Sequence, residues 1–332
     1  MQVFLAFCLA LKGSSGQGAP MDDEEPSIPG LPYGAAARLE VGHYWHEAPV
    51  ISAFIPPDGQ SLISLDRAGC LTAWDRLTKR RLYRVQVTDP AFDGRRITSS
   101  PRGTWVLLEA PASVPPMATV FRRTTGDELC RIERCSGAVF TGQDRVITAW
   151  RGRKVRRWDV EGGQELAPLE SSPAEILSLG VSEDGGRIVA AVTGAEEPVV
   201  WDGRTGRHVP VPASGVFQSI AVAVSSDGRT LAVGNRWFVN LWDASGAAPR
   251  LLGPLEAAGG PPLRFSSDGK RLVGAHRPKR IEIWDWDRRT RMASYWYPST
   301  IYGFFEPSAR ADEVIHARGP WVVIEPLSTA ED

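Results

Sequence analysis

The stretch LTAWDRLTKRRL, residues 71–82, ends a short run of alternating apolar residues with a tryptophan and an aspartate, and then continues into a polar turn. The Trp-Asp pair returns in VRRWDVEGGQEL, PVVWDGRTGRHV, VNLWDASGAAPR and IEIWDWDRRTRM. The tryptophans stand 84, 43, 41 and 42 residues apart, and a period of this size indicates one supersecondary unit that is copied along the chain. The five pairs are Trp74-Asp75, Trp158-Asp159, Trp201-Asp202, Trp242-Asp243 and Trp284-Asp285.

Two further units complete the series. The first interval is twice the others, so we expect a unit without tryptophan between Trp74 and Trp158, with Phe121 near the vacant position in ATVFRRTTGDEL. The apolar run PWVVIEPL, residues 320–327, ends where one more period would end a unit. The sequence therefore predicts seven units.

Each unit also carries a turn signal upstream of its tryptophan. In FIPPDGQSLISL, VSEDGGRIVAAV, VSSDGRTLAVG and FSSDGKRLVGA, an Asp-Gly pair separates two runs of apolar or β-branched residues. Asp-Gly supplies the positive φ of a tight hairpin turn, so each segment predicts strand, turn and strand. Three strands fit before the Trp-Asp pair, and the stretch after it supplies a fourth. The sequence predicts an all-β protein built from four-stranded units.

The repeated pairs and phased turns resemble the WD-repeat β-propeller family, in a divergent, bacterial-type form, over residues 36–332. The resemblance implies a seven-bladed β-propeller of four-stranded antiparallel blades. It also implies that the N-terminal strand ARLEVGHYW, residues 37–45, joins the last blade and closes the ring. In this family the aromatic of each pair packs between blades, and the aspartate begins the turn to the outer strand. Gly42-His43 resembles the family's Gly-His opening of a blade.

The chain departs from the family in one polar feature. A typical repeat has an aspartate six residues before the tryptophan, linked by hydrogen bonds to the histidine of the Gly-His pair. The corresponding residues here are Ala68, Gly152, Ala195, Arg236 and Pro278. We therefore expect the aspartate–histidine network to be absent from all five blades that carry a Trp-Asp pair.

Residues 1–35 form a tail that we separate from the propeller domain, residues 36–332. MQVFLAFCLALKG has an apolar run too short to span a bilayer but as long as a signal-peptide core, with no Lys or Arg before it. MDDEEPSIPGLPYG then begins at Met21 as an acidic linker rich in proline and glycine. Two interpretations stay open: residues 1–20 are the signal peptide of an exported protein, or they are an upstream start or a disordered tail of a cytoplasmic one. We adopt the cytoplasmic interpretation.

Composition and motifs argue against several classes of function. A formal net charge of −1 with 23% charged residues does not indicate a nucleic-acid-binding protein. The sequence contains no His-Glu-x-x-His pair, no Gly-x-Ser-x-Gly elbow, no phosphate-binding Gly-x-x-x-x-Gly-Lys and no Cys/His metal spacing. We therefore predict no enzyme, no cofactor, no metal site and no transmembrane segment.

The remaining prediction is a non-catalytic scaffold for protein interaction. The alternative is an exported propeller enzyme or a ligand-binding sensor that uses the central channel. Carboxylates or histidines from several blades at one channel mouth would favour that alternative, and a lining of small and apolar residues would favour the scaffold.

The turns before the third strands supply a candidate surface. In the family's geometry these turns share one face with the loops that lead into each blade, and here they combine arginine with tryptophan, a pairing enriched at binding hot spots. We predict that this face binds a protein or peptide, acidic or phosphorylated. The candidate residues are Arg67, Trp150, Arg151, Arg153, Lys154, Arg236, Trp237, Arg277, Lys279, Arg280, Arg318 and Trp321.

Overall fold

In the computed structural model of the chain, the described residues are 44–87, 96–110, 116–141, 144–195, 197–212, 219–235, 238–255, 260–276, 280–296, 305–308, 311–318 and 321–326. Within these ranges the chain forms β-strands and turns and no helix. The tail of residues 1–35 and the pair Gly42-His43 lie outside the described residues.

The strands form seven antiparallel sheets, the blades, that follow one another in chain order. The strands are β1 (Tyr44–Trp45), β2 (Val50–Phe54), β3 (Ser61–Asp66), β4 (Cys70–Asp75), β5 (Arg81–Gln86), β6 (Arg96–Ser99), β7 (Trp105–Ala110), β8 (Met117–Arg122), β9 (Glu128–Glu133), β10 (Gly137–Thr141), β11 (Val146–Arg151), β12 (Lys154–Asp159), β13 (Ile176–Val181), β14 (Arg187–Val192), β15 (Val199–Asp202), β16 (His208–Val209), β17 (Ala221–Val224), β18 (Thr230–Gly234), β19 (Val239–Asp243), β20 (Arg250–Leu255), β21 (Gly260–Phe265), β22 (Arg271–His276), β23 (Arg280–Asp285), β24 (Thr290–Trp296), β25 (Phe305–Pro307), β26 (Glu313–Arg318) and β27 (Trp321–Pro326). Blade 1 contains β2 to β5, blade 2 β6 to β9, blade 3 β10 to β12, blade 4 β13 to β16, blade 5 β17 to β20, blade 6 β21 to β24, and blade 7 β25 to β27 with β1.

The blades form a ring whose closure agrees with the prediction. Tyr44 and Trp45 of β1 pair with Val322 and Trp321 of β27, so the N-terminal strand is the fourth strand of blade 7. Sharing the last blade between the two ends of the chain leaves no open sheet edge at the junction. The predicted seven-bladed propeller is confirmed.

Blade 3 builds its fourth position without a regular strand. Its outer strand β12 is bridged at Trp158 by Glu165, and the amide of Leu166 donates to the carbonyl of Arg157 (2.7 Å). Pro168 has no N–H to donate, and the amide of Glu170 donates to the carbonyl of Gly206 in blade 4 (2.9 Å). The amide of Ser172 then donates to the carbonyl of Arg153 (2.8 Å). Residues 164–172 thus cover the edge of this blade.

The repeated turns hold their shape through short polar side chains. Ser225 Oγ donates to Asp227 Oδ1 (2.6 Å) and accepts the amide N–H of Thr230 (2.9 Å), while Gly228 adopts φ +71°. Blades 4 and 6 repeat these bonds from Ser182 and Ser266. The turns are locally encoded, because each Ser-x-Asp-Gly segment satisfies its own backbone donors.

The core lies between the blades. Seven buried clusters each join two neighbouring blades, and every Trp-Asp tryptophan packs toward the preceding blade. Trp201 and Trp242 are fully buried in this way, and Phe121 takes the same place in blade 2. Four of the five aspartates cap the following turn, as where Asp75 Oδ1 accepts the amide of Thr78 (2.7 Å). Asp159 is the exception, because its Oδ1 has no hydrogen-bond partner.

Antiparallel order gives the ring two distinct faces. The turns between first and second strands, with their Asp-Gly pairs, share one face with the turns after the Trp-Asp pairs; we call it the Asp-Gly face. The turns between second and third strands share the opposite face with the loops that connect blades; we call it the entry face. Of the candidate residues of the sequence analysis, Arg67, Trp150, Arg151, Arg153, Lys154 and Arg280 have described side chains and belong to the entry face.

Candidate functional site

A buried polar network joins blade 1 to the closing strand. Ser64 Oγ lies 2.9 Å from His46 Nε2 and accepts the indole N–H of Trp74 (3.1 Å). His46 Nδ1 lies 3.8 Å from Asp66 Oδ2, and Asp66 Oδ1 accepts the amide of Cys70 (2.9 Å). The carboxylate is beyond hydrogen-bond distance of the ring, and the Ser64 hydroxyl also lies 3.3 Å from the carbonyl of Thr72.

This network corrects the sequence prediction for blade 1. The expected absence of an aspartate–histidine link is wrong there, because the histidine is His46 and the aspartate is Asp66, eight residues before Trp74 rather than six. The predicted histidine was three residues too early. The signal that could have found the link is Ser64-x-Asp66 in the strand before the Trp-Asp pair, which places both side chains on the same face of the strand.

In space, Ser64, His46 and Asp66 follow one another as the serine, histidine and aspartate of a catalytic triad do. Their surroundings differ from those of a catalytic triad. Ser64 and Asp66 are completely buried, and the Ser64 oxygen is already bonded to the Trp74 indole. A nucleophile needs a reacting carbon about 3 Å away, and the core around Ser64 leaves no room for one. The network therefore ties the strands of blade 1 to the chain segment that closes the ring.

Burial and hydrogen bonding act in opposite directions on the Asp66 carboxyl. Burial raises its pKa, but the neighbouring His46 ring and the Cys70 amide outweigh burial and hold the pKa below its ordinary value. Arg84 adds to this effect with its Nη2 3.7 Å from Asp66 Oδ2. Asp66 is therefore ionised in the folded protein at neutral pH.

The exposed candidates of the entry face concentrate on blade 3. Arg151 and Lys154 pair across the turn between β11 and β12, with Gly152 at φ +57° and Arg153 between them. All three cations are exposed, and Arg153 Nε donates to the carbonyl of Ser172 (2.8 Å). Arg67 is exposed on the corresponding turn of blade 1.

Two other candidates serve the fold. Trp150 is half-buried against the core between blades 3 and 4, and a Cβ on Gly137 would overlap its ring. Arg280 is also half-buried, with its Nη2 2.9 Å from Glu282 Oε1 and its Nε donating to Ser294 Oγ (2.5 Å). Both side chains are partly exposed and are held by contacts within the fold.

The other candidates fall on parts of the chain that are only partly described or lie outside the description. Arg318 and Trp321 pair across the turn between β26 and β27, and only their backbone is described. Arg236, Trp237, Arg277 and Lys279 lie outside the described residues.

Many arginines of the Asp-Gly face join neighbouring blades. Arg76 of blade 1 donates to both carboxylate oxygens of Glu313 in blade 7 (2.7 and 2.9 Å). Arg123 of blade 2 binds Asp58 of blade 1 (2.8 Å). Further contacts of this kind run from Arg157 to Gly203, from Arg187 to Gly246, from Arg271 to Ala311 and from Arg289 to Leu252. The high arginine content thus serves the ring in part.

Asp144 supplies a group that the turn of blade 2 lacks. In blades 4 to 6 the third residue of the Ser-x-Asp-Gly turn is aspartate, but in blade 2 it is Arg102. The carboxylate of Asp144, from the turn of blade 3, accepts hydrogen bonds from the Ser100 hydroxyl (2.7 Å) and from the amides of Arg102 (2.9 Å) and Thr104 (3.2 Å). The carboxylate therefore makes, across the blade interface, the bonds that a local aspartate makes elsewhere. Sequence reasoning missed it because the missing Asp is supplied from another blade.

The inner wall of the ring comes from the first strand of each blade. Among the described side chains of these strands, Arg96 and Arg264 are the charged ones, and Arg96 Nε lies 3.7 Å from Glu109 Oε2. The other described side chains are apolar or carry a hydroxyl, for example Val139 and Ser178. The described part of the wall gathers no carboxylates or histidines from several blades.

No group of three His, Cys, Asp or Glu side chains is arranged to hold a metal ion in the described ranges, and no helix there has the length and apolarity to cross a bilayer. No protein-family model matches the chain, and no curated protein matches it.

Proposed function

We propose that the chain is a divergent WD-repeat propeller that acts in the cytoplasm as a non-catalytic platform for protein interaction. The observation that carries the proposal is the exposed Arg151, Arg153 and Lys154 turn on the entry face of a rigid ring. Such a turn offers charge to a partner without an ordering cost for the scaffold. The WD-repeat assignment is supported by the Trp-Asp pairs and by the network of His46 and Asp66.

The inner wall favours the platform over the channel enzyme or sensor. Its described side chains are mostly small, apolar or hydroxyl-bearing, and such groups offer little for binding a polar substrate or for moving a proton. The free thiols of Cys70, Cys130 and Cys135 suit a reducing compartment.

The partner segment that fits this turn is acidic. Arg156 and Arg157 follow in the next strand, but Arg156 is held by Glu165 (2.7 Å) and Arg157 by backbone carbonyls. Arg151, Arg153 and Lys154 are the exposed cations of this hairpin, although Arg153 also donates to the carbonyl of Ser172. Carboxylate or phosphate groups form their strongest hydrogen bonds with such donors.

The test is a selection of acidic peptides on the full chain, followed by fluorescence anisotropy with the selected peptide. Arg151→Ser with Lys154→Ser should weaken binding about tenfold, at a few-fold for each exposed charge pair. The matched control is Arg204→Ser with Arg207→Ser, two exposed cations on the Asp-Gly face of blade 4. Equal weakening by both variants would show general charge attraction and would overturn the proposed site.

A further inference from the structure

The outer hairpin of blade 1 carries the two most exposed large apolar side chains among the described residues. Leu77, at the tip of the turn between β4 and β5, is 92% exposed, and Leu82, at the start of β5, is 58% exposed. Single exposed leucines are ordinary on protein surfaces. Two on one hairpin, flanked by positive charge, call for a partner that is both apolar and anionic.

The hairpin is rigid up to its tip. Asp75 Oδ1 accepts both the amide and the hydroxyl of Thr78 (2.7 and 2.8 Å), and the amide of Asp75 donates to the carbonyl of Arg80 (2.8 Å). Leu77 lies inside this closed turn. A partner therefore meets a fixed apolar tip and need not order a loop.

Positive charge surrounds the two leucines. Lys79, Arg80 and Arg81 are exposed between them, and the only acid in residues 75–82 is Asp75, which caps the turn. Arg76 is already bound to Glu313.

The corresponding hairpins of other blades lack this combination. That of blade 2 contains Asp127 and Glu128. That of blade 6 has arginines and the exposed Met292 at the position of Leu82, but Asp287 takes the place of Leu77 at the tip. Blade 5 has the exposed Leu251 at the position of Arg81, beside a turn at 244–249 without a cation. Blade 4 has cations in its turn and no leucine. The feature therefore does not follow from the repeat itself.

We propose that this hairpin docks the protein on an anionic lipid bilayer. The tip is convex, and a bilayer interface receives a protruding leucine without a preformed pocket, while the cations meet the phosphates of the headgroups. Leu77 lies on the Asp-Gly side of the ring, so docking leaves the entry face open to solvent. The inference stands on residues outside the proposed partner site and does not depend on that site.

The test is flotation of the full chain with vesicles of phosphatidylcholine alone or with 30% phosphatidylglycerol. The wild-type protein should bind the anionic vesicles and dissociate from them at high salt, because salt screens the attraction between the hairpin cations and the anionic headgroups. Leu77→Ser should lower the partition coefficient about tenfold, since it removes one inserted leucine. Arg80→Ser with Arg81→Ser should lower it about 25-fold, at about fivefold for each cation.

The charge-matched control is again Arg204→Ser with Arg207→Ser in blade 4, which should change binding less than about twofold. The apolar N-terminal sequence is present in every variant, so differences between variants report on the hairpin. Unchanged binding by Leu77→Ser would overturn the proposal. The proposal would also be overturned if soluble polyglutamate bound the wild type and each variant in the same proportions as the vesicles do. That result would assign the hairpin to acidic polypeptides. Dimerisation of wild type that Leu77→Ser abolishes, without vesicle binding, would assign it to a second copy of the chain.

Discussion

Removal of the Asp144 carboxylate should loosen the turn of blade 2 that it caps from blade 3. Asp144→Gly is the suitable change, because Asp144 has φ +72° and glycine adopts that conformation without strain. Three donors lose a charged acceptor: the buried Ser100 hydroxyl and the amides of Arg102 and Thr104. Bonds to a charged group are each worth about 1.5–3 kcal/mol, but water can replace the carboxylate at the two exposed amides, so we expect a loss of about 3 kcal/mol.

The assay is urea unfolding followed by tryptophan fluorescence, since Trp105 donates its indole N–H to the Asp144 carbonyl (2.9 Å). A second substitution makes the reasoning refutable. Arg102→Asp restores the aspartate that blades 4 to 6 have in this turn, so in the Asp144→Gly background it should recover about 2 kcal/mol. In wild type it should destabilise the protein, because two carboxylates would compete for the same donors. The same effect of Arg102→Asp in both backgrounds would refute the compensation across the interface.

Three further outcomes follow from contacts within the ring. The pKa of Asp66 is lower in the folded protein than in the unfolded chain, where it is about 3.9. The ionised Asp66 carboxylate therefore stabilises the fold fully above about pH 3.9, and this stabilisation is lost as the pH falls through the folded pKa. Asp66→Asn should flatten the pH dependence of the urea midpoint in that acidic range. Arg280→Ser should lower the free energy of unfolding by about 3 kcal/mol, measured by a thermal melt, because it weakens the pairing of the buried Glu282 carboxylate. An unchanged melting temperature would contradict this structural role of Arg280. Gly203→Ala should cost about 3 kcal/mol in urea unfolding, since the added Cβ would overlap the carbonyl oxygen of Gly185.

The candidate site was less predictable than the fold. The exposure of Arg151, Arg153 and Lys154 was predictable from their turn alone, because a two-residue hairpin turn exposes its side chains. Trp150 and Arg280 were assigned to the same surface for the same reason, yet the structure buries half of each. Their burial depends on Gly137 and on Glu282, and a turn motif carries no information about such neighbours.

The sequence by itself determined the number of blades and the strand order within each blade. These follow from Trp-Asp and Asp-Gly signals whose hydrogen bonds stay within a few residues, so the local sequence encodes them. Only the tertiary structure decided that His46 meets Ser64, that Asp144 caps the turn of blade 2 and that Arg76 binds Glu313. His46 and Ser64 are 18 residues apart in the sequence, Asp144 and Ser100 are 44 apart, and Arg76 and Glu313 are 237 apart. The ring brings these partners together through the packing of blade against blade. No periodic pattern in the chain records which polar side chain of one blade completes its neighbour.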